Sequence, residues 1–158
     1  MTLEVDVQFA SGEDDLPDVD DLRRWAHAAV SQFRKEAELS IRIVDEEESA
    51  RLNERYRHKA GPTNVLAFPF DAPQGVAVNL LGDIVICAPV VRREAVDQSK
   101  QGRAHFAHMV VHGALHLLGY EHEKTQEAEK MEAQEKNILA ALGFEDPYLP
   151  RHTDRERS

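Results

Sequence analysis

The chain has 158 residues, of which 42% are hydrophobic, with a formal net charge of -10 at pH 7 and one cysteine. This length is enough for one domain with a buried core. A single cysteine excludes an internal disulfide and suits a reducing cytoplasm. The sequence contains neither a signal peptide nor an apolar run long enough to cross a membrane, so we expect a cytoplasmic protein without a membrane partner.

The first half of the chain is predicted to form two strands and two helices. Apolar residues alternate with polar ones over residues 3–9 and again over residues 39–43, which is the pattern of half-buried strands. Between them, apolar residues follow helical spacing from Asp20 to Lys35, and Asp18 or Asp20 is suited to cap this helix. A short polar surface helix is predicted from Glu46 to Arg57.

The second half is predicted to add two strands and three helices. The strand from Val65 to Phe70 contains a proline, which favours an edge position because proline gives no N–H to a neighbouring strand. The next strand, Gly82 to Cys87, is continuously apolar and is predicted to be central. The predicted helices are Ala88–Gln98, Arg103–Leu118 and a last one that Thr125 can cap and Gly143 ends.

These elements predict an α/β domain over residues 1–150, with about five helices. Three of its four strands are able to run parallel, and the proline-bearing strand is the natural antiparallel edge. Residues 151–158 are polar and charged, and we expect them to be a disordered tail.

Three histidines stand out in the apolar helix and the turn after it. His112 and His116 are four residues apart, so on a helix they lie one turn apart on one face. Gly119 can adopt a left-handed turn that ends the helix and brings His122 back to the same point. Three imidazoles and a fourth position open to water are the ligand set of a catalytic zinc site. Nickel, cobalt or iron(II) would also accept such ligands.

The histidine spacing is that of the metzincin peptidases, whose motif is HExxHxxGxxH. Those enzymes use the glutamate beside the first histidine as a general base. Gly113 occupies that position here and cannot accept a proton. The metal ligands are therefore present without the peptidase base, which argues against proteolysis.

Four segments carry a resemblance to a known family. They are residues 52–57 (LNERYR), 62–69 (PTNVLAFP), 81–86 (LGDIVI) and 105–122 (HFAHMVVHGALHLLGYEH). In this order they resemble the YbeY family of bacterial zinc-dependent endoribonucleases, also called rRNA maturation factors. Two departures are visible. Glu121 stands where the family usually has Asp, and Ala60-Gly61 replaces the usual Asp and its neighbour.

The resemblance implies a fold, a substrate and a set of partners. The fold would be a four-stranded mixed sheet with the zinc cleft beside the edge strand. The enzyme would cleave single-stranded RNA in small-subunit rRNA maturation, at the 3′ end of 16S rRNA, and act in ribosome quality control. Its partners would be the ribosomal small subunit and assembly factors, and no DNA partner is expected. The net charge of -10 is unusual for such an enzyme, and the candidates for a local basic patch are Arg51, Arg55, Arg57 and Lys59.

Less specific sequence signals suggest further residues of the catalytic site. Arg57 matches the arginine that follows tyrosine in the family, and its guanidinium can hold a phosphate. His105 and His108 lie on the stripe of His112 and either border the substrate groove, hydrogen-bond the ligands or are simply packed. Asp83 either orients a ligand imidazole or caps a turn, and Glu121 either assists proton transfer or is a solvated turn residue. The acidic series from Glu121 to Glu135 is predicted to be a solvated helix face, and Cys87 to be buried.

Catalysis by His112 as a metal ligand and by Arg57 as a phosphate clamp is the leading interpretation. No strong general base is evident, so the nucleophile is either water or the ribose 2′-hydroxyl. Two alternatives stay open. One is a metzincin-like metallopeptidase, and the other is a ribosome-assembly factor whose zinc is mainly structural.

Overall fold

The computed structural model describes residues 2–76, 78–121 and 124–149. Four strands and five helices are found in this part of the chain, close to the predicted positions. In chain order they are β1 (Thr2–Ala10), α1 (Val19–Val30), β2 (Glu36–Val44), α2 (Glu46–Arg57), β3 (Val65–Pro69), β4 (Leu80–Cys87), α3 (Ala88–Asp97), α4 (Gly102–Leu117) and α5 (Thr125–Ala141).

The four strands form one mixed sheet in the order β1-β2-β4-β3. Strand β1 pairs parallel with β2, β2 pairs parallel with β4, and β3 runs antiparallel to β4. The predicted fold class is confirmed, including the central position of β4 and the antiparallel edge position of the strand that contains Pro69. The predicted tail, residues 151–158, lies outside the described residues.

Helix α4 is the element around which the other elements pack. It contacts α1, α3, α5, β3 and β4, and most of its residues are buried because its sequence is apolar nearly all round. Asp18 caps α1 by accepting a hydrogen bond of 2.8 Å from the backbone N–H of Asp21. Gly119 has a φ of 103° just after α4, the left-handed conformation that the sequence predicted for this turn. No helix in the described ranges has both the length and the apolar character needed to span a membrane.

Helix α1 is shorter than its sequence pattern predicts. It ends at Val30 rather than Lys35, because the chain must turn back there to start β2 beside β1. The backbone N–H of Thr2 donates to the Lys35 carbonyl at 2.8 Å, at the point where the two strands meet. Phe33, which continues the helical spacing, instead packs edge-on against the ring of Tyr120, with 5.8 Å between centroids.

Gly82 is the position in β4 where only glycine fits. Its φ is 142°, and a Cβ built there would lie 2.2 Å from the backbone oxygen of Phe68 on the neighbouring strand. We expect Gly82→Ala to lower the free energy of unfolding by roughly 3 kcal/mol or more, since backbone strain and overpacking add. Chemical denaturation measures this. Gly102→Ala is the matched control, because a Cβ at Gly102 meets no atom within 4 Å, and it should be neutral or slightly stabilising. Equal stability of the two variants would contradict the prediction.

Candidate metal centre and cleft

His112 and His116 face each other across one turn of α4. Their Nε2 atoms are 3.1 Å apart, and their ring centroids are separated by 4.6 Å. Two nitrogen ligands of a tetrahedral zinc ion, each about 2.0–2.1 Å from the metal, lie about 3.3 Å from one another. The observed separation therefore suits two ligands of one ion as well as it suits a hydrogen bond. His122, the third predicted ligand, lies outside the described residues.

Glu135, on α5, fixes the orientation of the His112 ring. The carboxylate is completely buried, with its side chain 0% exposed. Its Oε1 lies 2.5 Å from His112 Nδ1, and its Oε2 lies 3.3 Å from His108 Nε2 and accepts a hydrogen bond from the Tyr148 hydroxyl. An ionised carboxylate can only accept hydrogen bonds, so both ring nitrogens must donate. His112 therefore carries its proton on Nδ1, and its Nε2 lone pair points toward His116.

The charge states in this network follow from its burial and hydrogen bonds. Burial by itself disfavours the charged form of Glu135, but the hydrogen bonds from His108 and His112 outweigh it and lower the pKa of Glu135 to about 2. Burial lowers the pKa of His108 below its ordinary value despite the neighbouring carboxylate. Burial and the hydrogen bond to Glu135 raise the pKa of the Tyr148 hydroxyl. One buried anion is thus held by three donors, of which His108 and Tyr148 are neutral near pH 7.

Potential ligand atoms occur at two overlapping places. In the described ranges, His108, His112 and Glu135 form a buried group whose ligand atoms lie within 4.8 Å of one another and can hold a metal ion. The 2.5 Å between His112 Nδ1 and Glu135 is a hydrogen-bond distance, however, and is shorter than the roughly 3.3 Å expected between two ligands of one tetrahedral ion. A carboxylate on the outer nitrogen of a histidine is the usual support of a metal-binding imidazole. This geometry favours the Nε2 side of His112 for the ion.

The Nε2 side of His112 opens into a cleft of about 570 Å³. Helix α4 supplies His112, Gly113 and His116 to its wall, and the edge strand β3 supplies Val65, Ala67 and Phe68. The opposite wall is the end of α2 and the loop that follows it, residues 58–64. Its residues that line the cleft include Asn53, Tyr56, Arg57, Lys59 and Thr63.

Two buried polar side chains hold the α2 wall of the cleft in place. Ser49 Oγ donates to the Thr63 carbonyl and accepts from the Thr63 N–H, both at 3.0 Å. Asn53 Nδ2 donates to the Gly61 carbonyl at 2.9 Å. His58 ends the helix in the left-handed conformation, with a φ of 57°. The loop after Arg57 is therefore fastened back onto its own helix, and this fixes the position from which Arg57 extends.

Gly113 lets α4 lie directly on the sheet. A Cβ at Gly113 would be 2.8 Å from Cγ2 of Ile84, closer than real Cβ contacts come. The metzincin glutamate would occupy this position, and it does not fit unless the Ile84 side chain shifts. The absence of a peptidase base is therefore built into the packing between the helix and the sheet.

The cleft brings together some of the predicted site residues. Arg57, His112, His116 and Glu121 all line it, and Arg57 and Glu121 are exposed there. His108 lies behind the ligand histidines and hydrogen-bonds Glu135, one of the roles left open for it. Glu121 is exposed to solvent, and it is also part of the cleft wall.

Asp83 and His105 lie elsewhere. Ile84 and Ile86 face the helices, so Asp83 points to the other face of the sheet, where it is exposed and bonds Ser40 at 2.5 Å. It does not orient the imidazole of His112 or His116. His105 is packed and buried, with its Nε2 2.9 Å from Glu94 Oε1, so it does not border the cleft.

Glu135 and Tyr148 were missed as site residues. Glu135 was predicted to belong to a solvated face, and this was wrong because the side chain is fully buried. A signal existed in the sequence: Met131, Glu135 and Ile138 recur at helical spacing, which places the glutamate on the apolar face of α5. Tyr148 follows the last helix, and no periodicity in that segment indicates that its hydroxyl reaches Glu135.

Comparison with known proteins agrees with this geometry. The chain resembles the solution structure of TM1509 from Thermotoga maritima, with a TM-score of 0.57 and 22% identity over 90% of this chain and 99% of that one. At this identity the likeness concerns the fold. The family model described as "Endoribonuclease YbeY" matches residues 8–143, which include both histidines, Glu135 and every element except the start of β1. This protein belongs to the YbeY endoribonuclease family.

Proposed function

We propose that this protein is a zinc-dependent endoribonuclease that cuts single-stranded RNA. Its substrate would be immature small-subunit rRNA near the 3′ end of 16S rRNA, and its partners the ribosomal small subunit and assembly factors. The observation that carries the proposal is the pair of Nε2 atoms 3.1 Å apart, facing a cleft whose opposite wall presents Arg57. Family membership supports RNA as the substrate. The one cysteine, Cys87, is a buried free thiol, which suits a cytoplasmic location.

The residues present fit a bound metal ion. His112 and His116 would hold it, together with His122, which follows α4 in the sequence. When bound, the ion would supply a Lewis acid that activates water and polarises a phosphoryl oxygen. Glu135 supports the site because its hydrogen bond keeps the lone pair of His112 on Nε2. Cleavage of a defined single-stranded RNA before and after chelation and zinc return tests this requirement.

Arg57 is suited to bind the phosphate. It is exposed at the end of α2 and lines the cleft opposite the histidines. A guanidinium binds two phosphate oxygens at once and offsets the charge that develops on them during cleavage. The loop that follows it is fastened by Ser49 and Asn53, so the backbone from which the guanidinium extends is held in position before the substrate arrives.

The charges around the cleft explain how an acidic protein can bind RNA. Several arginines elsewhere are paired with carboxylates, as in Arg42 with Glu48 and Arg93 with Glu46. Within the described residues, Arg57 and Lys59 form no ion pair and both line the cleft. These two side chains place positive charge at the cleft, while the net charge of -10 discourages RNA from binding elsewhere on the surface.

The nucleophile is either water or the ribose 2′-hydroxyl. Among the described residues that line the cleft, Glu121 is the acidic one, and it is exposed. Attack by water leaves a 5′-phosphate or a 3′-phosphate on the product, whereas attack by the 2′-hydroxyl leaves a cyclic phosphate. Mass spectrometry of the product ends separates these routes. A peptide digest in parallel tests the metallopeptidase alternative, and chelator-sensitive peptide cleavage with intact RNA would overturn the proposal.

Replacing Arg57 by alanine is expected to lower kcat for RNA cleavage by about 100- to 1000-fold, the effect typical of removing one donor that stabilises developing charge. Initial rates on a labelled single-stranded RNA measure it. Arg51→Ala is the matched control, since Arg51 is exposed on the same helix and does not line the cleft. Full activity of the Arg57 variant would contradict its proposed role.

A further inference from the structure

Tyr56 is an exposed aromatic residue inside the cleft. It lies in the last turn of α2, immediately before Arg57, and 54% of its surface is open to solvent. A large apolar ring left open in a binding cleft points to a ligand that covers it.

The Tyr56 ring is nevertheless held firmly from two sides. Phe68, on the edge strand β3, packs edge-to-face against it with 5.2 Å between centroids and 66° between the ring planes. The guanidinium of Arg55 lies over the Tyr56 ring, 5.3 Å from its centroid. A ring supported in this way has little conformational entropy to lose when a flat partner stacks on it.

A nucleobase is the ligand that matches this surface. Bases that are not paired stack on exposed aromatic rings, and sequence-tolerant RNA-binding grooves combine such rings with cationic groups that follow the phosphates. Here the ring and the phosphate-binding arginine are consecutive residues, Tyr56 and Arg57, and both line the cleft. In a single strand each base also has a phosphate next to it, so one nucleotide can contact both side chains.

We propose that Tyr56, supported by Phe68 and Arg55, is a base-stacking subsite that selects single-stranded RNA. The inference rests on the proposed ribonuclease function and adds the group that distinguishes strand types. In a duplex each base is already stacked and paired, so its face is not available to Tyr56. A single strand can turn one base onto the ring while the adjoining phosphate reaches Arg57.

The first test measures stacking directly, without cleavage. A short single-stranded RNA with 2-aminopurine at one position is titrated with metal-free protein, and both fluorescence quenching and anisotropy are recorded. We expect wild type and Tyr56→Phe to quench alike and Tyr56→Ala to bind about 5- to 150-fold more weakly without quenching. Phe9→Ala is the matched control, because Phe9 is 46% exposed on β1 and does not line the cleft.

The second test changes the RNA instead of the protein, so it does not depend on whether a variant folds. Wild-type protein is titrated with an end-labelled RNA of the same sequence that carries an abasic site at each position in turn, and binding is followed by the anisotropy of the end label. One abasic position should weaken binding to wild type and leave binding to Tyr56→Ala unchanged. If no abasic position weakens wild-type binding, or if the Tyr56→Ala protein binds and quenches like wild type, the stacking subsite is overturned.

Cleavage assays separate failure of the subsite from failure of the enzymatic function. If the metal-loaded wild type cleaves single-stranded RNA and Tyr56→Ala raises KM with kcat unchanged, the subsite is supported. Unchanged KM in Tyr56→Ala, with wild type active, overturns the subsite and leaves the ribonuclease proposal standing. Wild type that cuts no RNA under metal-loaded conditions overturns the ribonuclease proposal itself.

Discussion

Replacing His116 by alanine is expected to abolish RNA cleavage while leaving the protein folded. The variant loses one of the two Nε2 atoms that face each other at 3.1 Å in the cleft. A bound metal ion typically supplies several kcal/mol of transition-state stabilisation, so kcat should fall at least about 100-fold. Metal content by mass spectrometry of untagged protein, RNA cleavage rates and thermal unfolding should be measured on the same sample.

The matched control for His116→Ala is His27→Ala. His27 is exposed on α1, outside the cleft, and its removal should change neither metal content nor activity. The comparison also decides between two roles for the ion. A folded, inactive His116 variant indicates a catalytic metal. A variant that unfolds in parallel with its loss of activity indicates a structural metal, as expected of an assembly factor, and contradicts the prediction.

Replacing Glu135 is expected to produce the largest loss of stability among the site variants. Alanine leaves His108, His112 and Tyr148 without their shared acceptor and opens a cavity, so the free energy of unfolding should fall by about 3–5 kcal/mol. Glutamine keeps the volume of the side chain but not its charge. It should weaken metal binding by about 10- to 100-fold, the usual effect of changing a group that supports a ligand histidine.

Chemical denaturation and competition with a chelator of known affinity measure the two effects. Glu129→Gln is the matched control, because Glu129 is exposed on the same helix and should change neither quantity beyond about 0.5 kcal/mol. If Glu135→Gln binds the ion as tightly as wild type, the carboxylate does not orient His112. If Glu135→Gln loses the ion completely, Glu135 is itself a ligand, as the buried group with His108 and His112 would allow.

The elements of the fold were largely predictable because their periodicities are strong. For most of the elements in the described part of the chain, order and type follow from apolar spacing and from signals such as Pro69 in the edge strand and Gly119 after α4. The end of α1 was not predictable, because Phe33 continues the helical spacing of apolar residues beyond Val30. The helix nevertheless ends at Val30, since the chain must turn back there for β2 to pair with β1. Local pattern determines which structure a segment prefers, whereas long-range pairing determines where it stops.

The candidate site was predictable only where its residues are neighbours in sequence. His112 and His116 share a helix face, so their approach follows from helical geometry. Glu135 comes from another helix. Its charge indicated a solvent-exposed position, although its spacing from Met131 and Ile138 indicated the buried face of α5. The direction of Asp83 was hidden because a continuously apolar strand such as β4 does not reveal which alternate residues face the helices. Both cases require knowledge of which surfaces meet.

The close packing of Gly113 on Ile84 affects which catalytic groups can be combined with this histidine spacing. Glutamate at position 113 would bring its Cβ to 2.8 Å from Cγ2 of Ile84, so it fits only if that buried side chain moves. Introducing the peptidase base therefore requires Ile84 and the core side chains packed against it to rearrange. The packing between helix and sheet thus opposes the one substitution that would complete the peptidase motif at this histidine spacing.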